Sequence, residues 1–349
     1  MGRLLPPIVR ILAGSLSLAV ATAYGASYYV NDLSVAGDVY CSAVGSDANS
    51  GMAPASPKLT LTNLLASVSL VPGDVVYVDT GSYSGYTTLI NPSGVATNPI
   101  QFIGSTNRNA GGTVFSRNSA AGNGIAILGS YVNLSDFRIH SSAYGLFIRA
   151  TGCKVERVIA YSNSLAGIFF QLATSNEVRH SITAWNKNGL ESFGNVGQVN
   201  FVDNCVVWQN TIGASVQGSG GGGILNISNT VLSVTGGLAR GYSVNTGGRV
   251  RGNYNAICRR EGALVMGEDV QTGFQAYYLS DWQNTYTQEM NSICESAEFA
   301  NPSLADFHLK SITGRYNPAT GTYVTDTVHA AFIDFGSPSH VFSNEPAPN

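Results

Sequence analysis

Six Gly-X pairs recur through residues 123–237, and their spacing constrains this chain more than any other feature. They are Gly124-Ile125, Gly145-Leu146, Gly167-Ile168, Gly189-Leu190, Gly213-Ala214 and Gly237-Leu238. Subtraction gives intervals of 21, 22, 22, 24 and 24 residues. A near-constant period in this range marks a repeat architecture. It is too short for helix pairs, and the units lack the Leu/Asn consensus of leucine-rich repeats. Short alternating runs of Val, Ile and Phe fill them and read as strands. Each unit is therefore expected to form one coil of a parallel β-solenoid, with three short strands and three turns.

A second column agrees. Val132, Val155, Val178, Val199 and Leu225 each open a run in which apolar and polar residues alternate, as a half-buried strand requires. Each run reaches a polar corner at Asp136, Arg157, His180, Asn204 or Asn229. A third corner holds Asn163, Asn186 and Asn210, whose amides suit a bend and can bond along a stack. These corner residues are read as structural, His180 included.

Composition fits the same picture. Of 349 residues 11% are charged, 44% are hydrophobic and 40 are glycine. The formal net charge is −3 and no basic patch stands out, which argues against a nucleic-acid partner. Arg3 and Arg10, the apolar stretch 11–21 and the small residues Ala21-Thr22-Ala23 read as a secretory signal. A second cleavage position follows Gly25 or Ala26. The apolar stretch is too short to span a bilayer, so a secreted or cell-surface protein without a transmembrane segment is expected. Cys41, Cys153, Cys205, Cys258 and Cys294 match no zinc pattern. A Cys258–Cys294 bridge is one pairing open to them, and the odd count leaves at least one thiol unpaired within the chain. Leu61, Leu64, Leu65 and Val68 fall at i, i+3, i+4 and i+7, which predicts a short amphipathic helix ending before Pro72. A solenoid end exposes core and strand edge, so this helix is the expected N-terminal cap. Asp47, Asn49 and Ser50 lie in a turn-rich loop that lacks the full oxygen set of a calcium site.

The order of motifs at the N-terminus carries a resemblance. Tyr28-Tyr29-Val30 is followed by Gly45-Ser46-Asp47-Ala48-Asn49-Ser50-Gly51, the prolines Pro54 and Pro57, the helix, and Pro72-Gly73-Asp74-Val75-Val76-Tyr77-Val78. Then come Gly81-Ser82-Tyr83, Asn98-Pro99-Ile100-Gln101-Phe102-Ile103-Gly104 and Gly111-Gly112-Thr113-Val114. This opening resembles secreted right-handed parallel β-helix proteins of the pectate-lyase-like superfamily, in particular chondroitinase B/alginate-lyase-like members. Later stretches, among them Leu279-Ser280-Asp281-Trp282 and Ile333-Asp334-Phe335-Gly336, resemble the last coils of the same proteins. The resemblance implies a chain that stops short of its final coil at Asn349. The expected organisation is a signal at 1–26, cap and first coils at 27–95, regular coils at 96–240, and irregular C-terminal coils and tail at 241–349.

In this superfamily substrates lie along the outer face of one parallel sheet, and the glycine-led strands are the candidate. If the residue after each glycine points inward, the next points out. One outward column is then Ala126, Phe147, Phe169, Glu191, Ser215 and Ala239, and a second is Leu128, Arg149, Gln171, Phe193 and Gln217. Phe147, Arg149, Phe169, Gln171, Glu191, Phe193 and Gln217 are the expected substrate-binding residues. Aromatic faces, an arginine, a carboxylate and amides are groups that hold sugars and uronates. An alternative is that a loop covers the phenylalanines and Arg149 pairs with Glu191.

The resemblance implies a polysaccharide partner and a lyase on acidic glycans. In chondroitinase B-like relatives a lysine and an arginine about one coil apart react with calcium assistance. Lys154 and Lys187 lie at turns here, no Lys/Arg pair matches, and no aspartate cluster marks a calcium site. Calcium therefore rests on the resemblance alone, no other cofactor is evident, and no catalytic residue is assigned. A hydrolase would need two carboxylates about 5–9.5 Å apart, and Glu191 alone is obvious on the face; Glu156, Glu177 and Asp203 lie elsewhere on the coils. If the chain is an enzyme, a lyase is expected before a hydrolase. The alternative is a non-catalytic adhesive solenoid. The chain is expected to be monomeric.

Overall fold

A computed structural model describes residues 25–338 apart from 220–221, 261–264, 305, 318–319 and 334. Residues 1–24, which hold most of the segment read as a secretory signal over 1–26, and the tail from residue 339 lie outside the described residues. The chain folds as an all-β, right-handed parallel β-helix of about seven turns. Sheet I runs from Ser27–Val30 and Val75–Val78 to Arg249–Asn253, and sheet II from Gly81–Ser84 to Ala256–Arg260. Sheet III comprises Thr88–Ile90, Asn123–Ile127, Tyr144–Ile148, Ala166–Gln171, Asn188–Asn195, Ile212–Ser219, Arg240–Asn245 and Val265–Asp269, closed by the antiparallel Phe274–Ala276.

The glycine column has a steric cause. A Cβ on Gly145, Gly167 or Gly189 would stand 2.8–2.9 Å from the carbonyl oxygen of the next glycine in the stack. It would also stand 2.7–2.9 Å from the amide of Asn163, Asn186 or Asn210 respectively. Ile125, Leu146, Ile168, Leu190 and Ala214 follow their glycines into the core. The sixth member is Gly241, not Gly237, because Tyr242 pairs with Ala214. Residues 236–239 form an inserted turn that leaves Leu238 exposed. Met266 takes the next glycine position, so parallel coils continue past residue 240 to Asp269.

The corners follow the sequence in one place and depart from it in another. Asp136, Arg157, His180, Asn204 and Asn229 all adopt left-handed backbone, and Tyr254 continues the column. At the third corner the left-handed residues are Ser141, Ser162, Trp185 and Gln209. The asparagine after each of the last three turns inward instead and forms a buried ladder. Asn163 Nδ2 donates to Asn186 Oδ1 at 3.0 Å, and Asn186 Nδ2 donates to Asn210 Oδ1 at 3.0 Å.

Helix α1, Leu61–Ser67, forms where the spacing places it, with Thr60 Oγ1 accepting from Asn63 N at 3.1 Å. Leu61 and Leu64 join the same buried cluster as Val30, Val76 and Ile90. At the other end helix α2, Leu279–Tyr286, lays Trp282 against Tyr242 and Gly267 of the last coils. The hairpin of Phe299–Asn301 and Asp306–Leu309 covers the outside of sheet II, where Phe299 and Phe307 pack on Trp208 at ring distances of 5.1 and 6.0 Å. Cys41, Cys153, Cys205 and Cys294 are free thiols, so Cys294 has no bridge here. The Cys258 side chain lies outside the described residues.

Candidate functional site

The C-terminal hairpin occupies sheet II, and ion pairs line sheet I. On sheet III the outward columns follow the glycine-led strands, and Ala126, Phe169 and Ser215 of the first are buried. Ala126, Phe147, Phe169, Glu191 and Ser215 are direct neighbours on successive coils. Ser243 continues that column in place of Ala239, which the inserted turn buries. Gln171, Phe193, Gln217 and Asn245 form the second column, and Arg149 follows the Ile148–Phe170 pair, one residue beyond its strand, which continues the register toward Gln171.

Arg149 is exposed and makes no side-chain hydrogen bond or ion pair among the described residues. The pairing with Glu191 does not form. Glu191 instead accepts from Asn188 Nδ2 at 2.9 Å. Burial pushes the Glu191 carboxyl up, opposed by the Asn188 hydrogen bond and by Lys187 nearby. Phe147, Gln171, Phe193 and Gln217 are half-buried, whereas Phe169 is buried.

Phe169 is covered by a residue that strict alternation hides. Tyr144 stacks on it at 4.8 Å and meets the Phe147 ring at 6.2 Å. Alternation back from Leu146 would send Tyr144 inward. The glycine breaks that alternation: Tyr144 pairs with Ala166 and Leu146 with Ile168, while Gly145 lies between without a partner in the register. A third outward column therefore exists, running Tyr144, Ala166, Asn188, Ile212 and Arg240. The residue before each repeat glycine was the available signal. The Tyr144 phenol is pushed up by burial first and then by the Glu191 charge.

Sheet I carries the other polar cluster. Arg157 holds Asp136 through Nε at 2.9 Å and Nη2 at 2.8 Å, and it also pairs with Glu156 at 2.8 Å. His180 Nδ1 lies 3.3 Å from Glu156 Oε1, which keeps it in the corner stack. Arg179 pairs with Glu177 at 2.5 Å, and Ser228 and Asn229 both donate to Asp203 at 2.8 Å. These carboxylates are committed to neighbours across the coils. On sheet III Glu268 is the other carboxylate of the Glu191 column; it pairs with Arg240 and accepts from Ser243. Glu191 and Glu268 are three coils apart, roughly 14 Å at ~4.8 Å per coil, beyond the reach of a glycosidase pair.

The turn-rich loop does not offer a calcium ligand set. Asp47 Oδ1 accepts from Thr60 N at 3.0 Å, Lys58 Nζ reaches the Asp47 carbonyl at 2.8 Å, and Asn49 donates to Pro57 O. An ammonium thus stands where a cation would bind. Among the described residues no group of three or more His, Cys, Asp or Glu side chains could hold a metal ion.

No protein-family model and no curated protein matches the sequence. Solved structures similar to this chain include the pectate lyase Pel9A, at 15% identity over 74% of this chain and 83% of that one, TM-score 0.46. A rhamnogalacturonan lyase is 14% identical over 89% and 98% of the two chains, TM-score 0.46. An alginate lyase from Paenibacillus sp. str. FPU-7 is 15% identical over 54% and 89%, TM-score 0.36. Likeness of this degree leaves the reaction to be argued from the chain's own residues.

Proposed function

We propose that this chain is an extracytoplasmic β-helix that holds an acidic polysaccharide along the outer face of sheet III. Arg149 carries the reading: an exposed guanidinium without a side-chain partner among the described residues, one residue past the Ile148–Phe170 pair at the end of the Gln171, Phe193 and Gln217 column. A guanidinium binds a carboxylate through two parallel hydrogen bonds. Tyr144, Phe147 and Phe193 supply apolar ring surface on the same face. Coils repeat at about 4.8 Å, so a chain lying across them meets the same three columns repeatedly. The outer face carries the cations Arg149 and Arg240 among its described columns, and Arg240 is paired. Arg149 and the exposed Lys187 near Glu191 suit the holding of a carboxylate, whereas β-elimination needs a neutralising group and a base together, and no base is assigned on this face. If cleavage occurs, Glu191 is the proton-carrying group on this face and a lyase is favoured over a hydrolase. No membrane-spanning helix is present among the described residues.

The test is affinity electrophoresis against polygalacturonate, alginate, chondroitin and a neutral galactan, with absorbance of unsaturated uronate ends read in parallel. Retardation by one or more acidic glycans and none by the galactan supports the reading. Equal retardation by the galactan, or none by any glycan, removes it. A rising absorbance adds lyase activity and excludes the purely adhesive alternative.

A further inference from the structure

A cavity of about 490 Å³ lies at the C-terminal end of the solenoid, far along the chain from Arg149. It is bounded by the last coil of sheets I and III and by helix α2. Its size falls in the range of small-ligand sites. Its lining has an unusual chemical bias.

Arg249 and Arg251 sit two residues apart on the edge strand of sheet I, so both side chains leave the same face. Both are exposed, and neither makes an ion pair or side-chain hydrogen bond among the described residues. Gln271 uses its carboxamide oxygen to accept from Gly247 N at 3.1 Å, and Gln288 does the same for Gly252 N at 3.1 Å. A backbone N–H fixes which end of each amide faces it, so both NH2 groups are left as donors. Trp282 is buried, and its indole N–H has no partner. The one carboxylate in the lining, Asp269, is spent internally. It accepts from Gln271 N at 3.0 Å and from the Tyr286 hydroxyl at 3.0 Å.

The side chains around the cavity thus offer two guanidinia and two amide NH2 groups, with the acidic group already satisfied. A lining dominated by donors fits a ligand rich in acceptors and negative in charge. The geometry points to a binding site for a carboxylate-bearing saccharide, a uronic acid residue, at the C-terminal end of the β-helix. Arg249 and Arg251 would take the carboxylate, and Gln271 and Gln288 would donate to ring hydroxyls. The site is separate from sheet III's outer columns and does not depend on the reading given for them.

The experiment is calorimetric titration of the full chain with trigalacturonate, with galactotriose and with inorganic sulfate. It uses wild type, Arg149→Ala, the double variant Arg249→Ala/Arg251→Ala, and the triple variant that combines all three substitutions. The arginines are exposed, so folding is expected to survive, and circular dichroism checks it. The expected result is saturable trigalacturonate binding that persists in Arg149→Ala and weakens by about tenfold or more from that level in the triple variant, as the loss of charge-assisted hydrogen bonds predicts. Galactotriose should not bind. Binding in the triple variant unchanged from Arg149→Ala, no binding in any form, or equal binding of sulfate overturns the site. Loss of one class of binding in Arg149→Ala, with a second class lost only in the double variant, supports both sites separately.

Discussion

Glu191 joins a raised carboxyl to a face that would receive negative charge. Its own ionisation opposes an acidic glycan, and burial already favours the protonated form. Affinity for a polyuronide should therefore rise as pH falls through the Glu191 pKa, while the glycan's carboxylates are still ionised. Glu191→Gln should flatten that profile and keep the Asn188 contact through its amide oxygen; affinity measured across pH 4–8 (a range chosen about the ordinary carboxylate values) checks both. At the same scale, burial pushes the Cys153 thiol up to about 11 and the Cys205 thiol up to about 12, while Cys294 is exposed. A maleimide at pH 8 should label Cys294 in the folded protein and reach Cys153 and Cys205 only after unfolding. The outward columns were legible because register from one glycine to the next is nearly constant. Tyr144 was not, because its direction depends on a backbone irregularity at the glycine itself.

The coil corner is the element that repeats. Asn186 accepts from the backbone and side-chain amides of Asn163, and donates to Ala160 O and Asn210 Oδ1. Asn186→Ala removes all four bonds inside a buried stack. An orphaned buried polar group costs about 1–3 kcal/mol, so a loss of roughly 2–4 kcal/mol is expected, read as a shift in the urea midpoint. Gly167→Ala should also destabilise, because its Cβ would sit 2.9 Å from Gly189 O and from Asn186 Nδ2. Asparagine at these corners was visible in the sequence as a column. Which corner residue turns left-handed was not, since that depends on whether the amide faces the core or the bend.

Over the whole molecule, the ends of the stack are where sequence pattern gave least. The period fails after Gly213 because four inserted residues displace the next glycine to Gly241, and Met266 fills the position after that. The coils nonetheless continue, since strand pairing needs the alternation and not the glycine. The last turns close on a buried carboxylate. Glu289 accepts from Tyr242 Oη at 2.6 Å and from Asn255 Nδ2, with Ser292 Oγ as a further donor. Burial raises the Glu289 pKa against these three hydrogen-bonding partners. A carboxyl whose folded pKa exceeds its unfolded one contributes stability that is present below the unfolded value and lost as pH rises through the folded one. Thermal stability should thus fall over that interval, and Glu289→Gln should remove this component of the pH profile. At the N-terminal end, Leu64 is fully buried on α1. If α1 closes the first coil, Leu64→Ala should cost about 2–5 kcal/mol and open the Ser27–Val30 and Val75–Val78 pairing first, as hydrogen exchange would show.

The central claim is that sheet III's outer face holds an acidic glycan through Arg149. Its most direct test is the dissociation constant of an oligouronide retained by that face, compared between wild type and Arg149→Ala at fixed low salt. A charge-assisted hydrogen-bonded pair is worth about 1.5–3 kcal/mol, so affinity should fall roughly tenfold to a hundredfold while the circular dichroism spectrum stays unchanged. An unchanged constant in a folded variant would contradict the account and leave sheet III as a structural face.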